Sequence, residues 1–430
     1  MTGCKLIGYR IFLILAAPIL GVVFAFRWLI GKETLAGLHE RLGSDAPLNK
    51  TSETLWVHGA SLGEMTAARP MMNALCKEHP NLQIIATVNT YTARDMIRNW
   101  NAPNISVQMA PLDYSFCVRR FCDHWSPTAA ITLENEIWPN RLLTLAERGI
   151  PVFAIGARMS AKSAKNWAKF PGMTTQVLNT IHVLAPLDRS NGARFASLGL
   201  PQNRISPPLN LKASVVLDSP DAQILKQFQG IFLRSETILA ASTHDEDEDL
   251  ILEAFQQAHR KDPKLKLIIA PRHPNRIDAV ADKLDRRKMS FVRRDAASAP
   301  PEPCQVLLAG TVGEMPLWYS LAGTTVICGT FGTRGGHTPV EPVQFESTVV
   351  HGQDTSNQVD AFEALAATDA AIKVTTAKDL AAVFLHGDDE ETIAARRTRA
   401  KTAINEMRMA LSDDTAIRDQ ISQHFSKRTL

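Results

Sequence analysis

Residues Thr324–Pro342 read TTVICGTFGTRGGHTPVEP. The run Thr324–Cys328 has the length and β-branched content of a buried strand, and Val340–Phe345 can open a helix. Glycines between a strand and a helix let backbone N–H groups approach a phosphate, while the helix N-terminus favours its charge. His337 and Arg334 can add donors, and Glu341 can accept from ribose hydroxyls. Taken alone, the pattern fits a tight turn with a satisfied surface histidine equally well.

Outward from it the chain repeats one theme. Upstream, apolar runs at Leu55–His58, Gln83–Val88, Ile105–Met109, Ala129–Leu133, Val152–Ile155 and Ile181–Ala185 alternate with helical patterns such as Met65–Lys77, Phe116–His124, Ile137–Arg148 and Arg189–Leu198. Repeated β-α units imply a parallel sheet covered by helices on both faces. Pro201, Pro207 and Pro208, with Leu217–Ala222 soon after, read as a connector. The alternation restarts at Ile238–Ala241, Leu267–Ala270, Val306–Ala309, Thr325–Cys328 and Thr348–His351, and Glu390–Ser426 reads as helical and charged. The expected fold is therefore α/β, with two Rossmann-like doubly wound domains facing a cleft and ligands at the carboxyl ends of the strands.

With 430 residues, 45% hydrophobic and 21% charged, the chain is globular and long enough for two domains. A net charge of +3 points to no nucleic-acid partner. Six cysteines (Cys4, Cys76, Cys117, Cys122, Cys304 and Cys328) form no CxxC pair, which argues against a zinc site and a disulfide framework. The sixteen residues Ile11–Phe26, IFLILAAPILGVVFAF, carry no charge and lie between Arg10 and Arg27. That is short of the roughly 20 residues needed to span a bilayer, although Trp28, Leu29 and Ile30 extend it. A cleaved signal peptide competes with this reading, but Arg27 and Trp28 stand where small cleavage-site residues belong. A retained anchor over residues 1–30 is expected, followed by domains at 31–210 and 211–390, with C-terminal helices at 391–430 packing back toward the first domain.

The chemistry-bearing residues fall at strand ends. Leu55–Glu64, LWVHGASLGE, puts Ser61 and Gly63 in a turn and Glu64 at a helix start. The helix dipole there favours the ionised carboxylate and so a general base. The same spacing is a Ser-x-x-Glu capping box with no chemistry at all. Glu134 and Glu136 follow another buried strand in ITLENEIWPN, where a solvated helix start explains them as well. Ser242, Thr243 and His244 form a second possible phosphate cradle, and Arg272 and His273 follow the strand LIIA. The acidic run Asp245–Asp249 fits a helix first turn better than a metal site.

Together these blocks resemble the 3-deoxy-D-manno-octulosonate (Kdo) transferases of lipopolysaccharide assembly, membrane-anchored glycosyltransferases of the GT-B architecture. The resemblance rests on Glu40–Gly43, WVHGASLGE, ENEIWPN, GARMSAKS (Gly156–Ser163), LNLK (Leu209–Lys212), STHDEDE, LIIAPRHP, GTVGEMPLWY (Gly310–Tyr319) and GGHTPVEP, in that order. It implies Glu64 as catalytic base, with Ser61, Gly63, Glu134 and Glu136 around the acceptor. It implies a donor set of Lys212, Ser242, Arg272, His273, Gly335, Gly336, His337 and Glu341. It further implies CMP-Kdo as donor substrate with no cofactor or catalytic metal, a lipid A precursor as acceptor, and an anchor at the cytoplasmic face of the inner membrane among its lipids. Thr338 stands where the family usually has Asn, and Leu209 where it usually has Gly. Together with Gly310, where the family usually has Asp, these departures keep open a related transferase using another nucleotide sugar. A non-catalytic glycolipid-binding membrane protein is the other alternative.

Overall fold

The computed structural model describes residues 6–44, 53–213, 217–294, 304–385 and 389–426, so Cys4 lies outside the described residues. The chain forms two compact units, one of Met1–Ala213 with Leu411–Leu430 and one of Ser214–Ala410.

In the first unit six parallel strands, β1 (Thr54–His58), β2 (Gln83–Val88), β3 (Ile105–Met109), β4 (Ala129–Leu133), β5 (Val152–Ala157) and β6 (Ile181–Pro186), lie in the order β3-β2-β1-β4-β5-β6. Strand side chains alternate between faces, so near-continuous apolar strands feed two cores at once. Leu55 and Val57 join one apolar cluster, while Trp56 joins the other on the opposite face. Over the first face, helix Leu62–Glu78 lays down Met65, Ala68, Met72 and Leu75. The C-terminal helix Thr415–Ser426 adds Ile417, Ile421 and Phe425 to the same cluster at a spacing of one helical turn each.

The second unit has seven parallel strands: β7 (Thr237–Thr243), β8 (Lys266–Pro271), β9 (Phe291–Arg294), β10 (Val306–Ala309), β11 (Thr324–Ile327), β12 (Thr348–His351) and β13 (Ala371–Lys373). Their order is β13-β12-β11-β7-β8-β10-β9. The sequence reading did not anticipate β9 and β13. Both are edge strands, FVRR and AIK, and short charged edges are how sheets avoid pairing with other chains. The tail also divides. Helix Glu390–Ser412 packs Ala400 and Ile404 against Ile327, Val343 and Leu365 of the second unit, and the chain from Leu411 on belongs to the first, where the last helix joins its core.

Helix Ile7–Leu29 is 23 residues long with a mean hydropathy of 2.2 and no buried residue, long and apolar enough to cross a membrane. Its start is tied to the body of the first unit. Tyr9 donates to Asp113 at 2.8 Å, Arg10 to Asn140 at 3.0 Å, and the Tyr114 hydroxyl to the Leu13 carbonyl at 2.8 Å.

Candidate functional site

Strand order in the first sheet reverses between β1 and β4, which pair in parallel with β2 on one side and β5 on the other. A crevice forms where successive crossovers diverge, and the loops after β1 and β4 line it. Gly59 ends β1 because a Cβ there would come within 2.7 Å of the Met65 sulfur and 3.1 Å of Leu133. Ser61 then caps helix Leu62–Glu78, its hydroxyl accepting from the Glu64 N–H at 3.3 Å. The Glu64 carboxylate folds back, accepting from the Ala60 N–H at 2.8 Å through Oε2 and from the Ser61 hydroxyl at 2.8 Å through Oε1. The capping geometry is thus present, and it aims the carboxylate into the crevice. Burial raises the Glu64 pKa; the Ser61 and Ala60 hydrogen bonds oppose it, Glu134 adds to it and Lys212 subtracts. The net direction is upward, opposite to what the helix dipole alone would give, which moves the group toward the pH at which a base works best.

After β4, Glu134 takes φ 50, a left-handed conformation that costs a non-glycine residue free energy and persists where its surroundings enforce it. Its N–H donates to the Ile155 carbonyl at 3.0 Å and its own carbonyl accepts from the Arg158 N–H at 3.2 Å, so β5 sets the bend. The side chain meets the Lys212 ammonium at 2.5 Å. Glu64, Glu134, Asn210 and Lys212 line one small pocket with Leu133, Ile155 and Gly156. Lys212, grouped by resemblance with the donor set, therefore stands beside Glu134 in the pocket of Glu64.

Glu136 is placed differently. Its Oε2 accepts from Trp138 Nε1 at 2.6 Å and is bonded to His58 Nε2 at 2.9 Å. Burial opposes its ionisation, but the hydrogen bonds from His58 and Trp138 and the charge of Arg141 outweigh it and hold its pKa at about 2. Burial, reinforced by Arg141, pushes His58 down to about 4, so at neutral pH a neutral imidazole donates to the carboxylate and the pair is a hydrogen bond rather than an ion pair. Glu136 orients the loop from below while Glu134 faces the pocket. His58 went unnoticed in the sequence; a histidine closing an apolar strand was the available signal.

In the second unit the order reverses between β7 and β11. Here the glycine loop departs from expectation. The Gly329 N–H donates to both Asp247 carboxylate oxygens at 2.9 Å, Gly335 to Asp354 at 2.7 Å, Gly336 to the Gly329 carbonyl at 2.9 Å, and His337 to the Cys328 carbonyl at 3.1 Å. These four amides are taken by protein acceptors, two of them carboxylates outside the loop, Asp247 and Asp354. The glycines are needed for shape: Gly335 and Gly336 have φ of 83 and 75, and a Cβ on Gly336 would lie 2.8 Å from Thr330.

Three histidines gather beside Arg272 at this edge of the sheet. His337 Nε2 and His244 Nε2 lie 2.9 Å apart with their rings stacked, and the His273 ring centroid is 6.0 Å from that of His244. Burial, followed by the charges of His244, Arg272, His273 and Arg334, pushes His337 down to about 4. Arg272 and His273 are exposed at the end of β8, and the Arg272 N–H donates to the Thr243 carbonyl at 3.0 Å. Ser242 has φ 60 at a register shift in β7. An anion placed here would meet Arg272 and favour the protonated form of His337 and His244. Glu341 lies in the first turn of helix Val340–Gln344, its Oε2 accepting from the Tyr319 hydroxyl at 2.9 Å. The acidic run is spent on structure: Asp247 also accepts from the His244 N–H, and Glu248 pairs with Arg276 and Lys283.

Paired Rossmann-like units with polar residues at both switch points define the GT-B architecture. Two solved structures share this fold. A glycosyltransferase from Rickettsia africae aligns with a TM-score of 0.57 at 10% identity, covering 87% of this chain and 99% of that one. Anabaena HepE in complex with UDP aligns at 0.56 and 11% identity, covering 87% and 100%. The family model described as 3-deoxy-D-manno-octulosonic-acid transferase (kdotransferase) matches residues 36–215. The 3-deoxy-D-manno-octulosonic acid transferase of Haemophilus influenzae is 31% identical over 326 residues, 76% of each chain. That of Bordetella pertussis is 32% identical over 381 residues, 84% of this chain and 86% of its own. The chain belongs to the 3-deoxy-D-manno-octulosonic acid transferase family.

Proposed function

We propose that this Kdo transferase moves Kdo from CMP-Kdo to a hydroxyl of a lipid A precursor, inverting the anomeric carbon, at the cytoplasmic face of the inner membrane. The observation that carries the site assignment is the convergence of Glu64, Glu134 and Lys212 on one pocket at the β1/β4 switch point. Glu64 takes the acceptor hydroxyl proton as that oxygen bonds the anomeric carbon. The bond from that carbon to the CMP phosphate oxygen breaks, and CMP leaves with the electron pair. Glu134 and Lys212 orient the acceptor, with Ser61 and Gly63 shaping the turn. Arg272, His273, His337 and Ser242 meet the donor phosphate, where preorganised positive groups are the largest catalytic contribution. Gly335 and Gly336 give that loop its path, and Glu341 fixes it through Tyr319. Helix Ile7–Leu29 keeps the site beside an acceptor that does not leave the bilayer.

The test is transfer from CMP-Kdo, generated in situ, to a tetraacyl lipid A precursor, comparing wild type with Glu64→Gln, both in EDTA. Product from wild type and none from a variant that still binds CMP is the expected result. A folded wild type that binds CMP without making product redirects the reading to another sugar or acceptor. Loss of both CMP and acceptor binding overturns it.

A further inference from the structure

Helix Ile7–Leu29 is apolar on two opposite faces. Phe12, Leu15, Ile19, Val22 and Phe26, spaced to share one stripe, are 60–71% exposed. The opposite stripe, with Gly21, Phe24 and Trp28, faces Leu38, Leu112 and Phe116 of the body across a groove of about 410 Å³. Its lining is apolar except for Glu33, Thr34 and the Tyr114 hydroxyl. Because Tyr9 and Leu13 bind the body near one end of the helix, and Arg27 lies 3.9 Å from Glu33 near the other, the helix lies along the unit. One wall of the groove is thus the element that meets lipid.

The other wall leads to the base. The Arg41 guanidinium sits 5.5 Å over the Phe24 ring and donates to the Asn89 carbonyl at 3.2 Å. The Asn89 N–H donates to the Ala60 carbonyl at 3.4 Å, and the Ala60 N–H holds Glu64 at 2.8 Å. Three residues therefore separate an apolar groove of ligand size from the proposed catalytic carboxylate.

We propose that this groove receives a fatty-acyl chain of the glycolipid acceptor, so that the enzyme reads acylation as well as sugar. The inference rests on the proposed acceptor. Its continuity with the exposed apolar stripe selects hydrocarbon over a peptide segment, and the bonded route from its wall through Arg41, Asn89 and Ala60 to Glu64 selects the molecule being glycosylated over bulk phospholipid. Each buried methylene contributes to binding, so a chain seated here lowers KM and registers the acceptor hydroxyl near Glu64.

Two measurements on the full chain in phospholipid nanodiscs decide it. A tetraacyl precursor carrying a diazirine on one acyl chain should, on irradiation, label peptides containing Gly21–Trp28, Leu38 or Leu112. Excess unlabelled precursor should suppress the labelling and excess phosphatidylglycerol should not. Labelling elsewhere, or suppression by phosphatidylglycerol, overturns the proposal, the latter making the groove a structural lipid site. In the second measurement Gly21→Leu fills the groove from a position where an added Cβ meets nothing within 4 Å. It should cut the kcat/KM preference for acylated over deacylated acceptor about tenfold or more, with Gly21→Ala near wild type. An unchanged preference sinks the idea. Should wild type turn over neither acceptor while labelling stays in the groove, the transfer reading fails and the acyl site stands.

Discussion

Glu64 both caps a helix and fills the pocket, and substitution separates the two roles. A carboxyl whose folded pKa is raised contributes most stability below its unfolded pKa and loses it as pH rises through the folded value. Glu64→Gln keeps an oxygen for the Ala60 N–H, turns its amide N–H toward the Ser61 hydroxyl oxygen and removes that loss, so its Tm at pH 8 should match or exceed wild type. A positioned base is worth about 10²–10⁴ in rate, so transfer should fall by that order. Wild-type kcat/KM should rise with pH through a pKa above the ordinary carboxylate value, and the variant should lose that limb. A drop in Tm with activity retained would reduce Glu64 to a cap. His337 titrates the other way. Held down to about 4 among His244, His273, Arg272 and Arg334, with Glu246 the acidic neighbour of His244, it is neutral at pH 7. A bound phosphate raises its pKa and draws in a proton. CMP affinity should strengthen as pH falls from 8.5 to 6.5, and His337→Gln should flatten the dependence measured by calorimetry; identical slopes would remove the histidine from the phosphate site.

At the scale of elements, Asp247 shows how the donor loop is held. Buried on the first turn of helix Asp245–Lys261, it accepts from the Gly329 and His244 N–H groups and so fastens the β11 loop to the β7 loop. Asp247→Ala strands two buried donors, at about 1–3 kcal/mol each. Lowered thermal stability and at least severalfold weaker CMP binding should follow; wild-type CMP affinity would show that the loop holds its shape unaided. Sequence and structure part company at this same loop. Strands such as LWVH and TTVIC were legible because burial on both faces demands unbroken apolar runs, and GGH marked a site because strand-glycine-helix spacing is local. Where the amides point is not local: Asp247 lies 82 residues from Gly329, and no spacing announces that it takes the N–H groups a phosphate would need. Lys212 meets Glu134 across 78 residues, a pairing that only the folded sheet shows. Edge strands β9 and β13 escaped because an edge need not be apolar.

Across the whole molecule, the first unit is built from two separated pieces, and its core is incomplete until the last residues arrive. Ile417, Ile421 and Phe425 are 0–3% exposed and share a cluster with Leu55, Met72 and Ile131 of the first sheet. The second unit is continuous from Ser214 to Ala410 and has its own apolar clusters on both faces of its sheet. A chain ending at Ala410 should therefore fail unevenly. Removing three buried side chains of this size uncovers surface whose loss costs several kcal/mol, roughly 2–5 for each large apolar residue lost from a core. That is comparable to the whole stability of a domain, about 5–15 kcal/mol. Scanning calorimetry of the truncated chain should show the transition of the first unit lowered or absent and the second retained, with CMP binding and its pH dependence intact and Kdo transfer lost. The single change Phe425→Ala should reproduce the selective shift in smaller measure. Equal destabilisation of both transitions would mean that the tail acts on the chain as a whole. An unshifted first transition would mean that the sheet closes its core without its final helix.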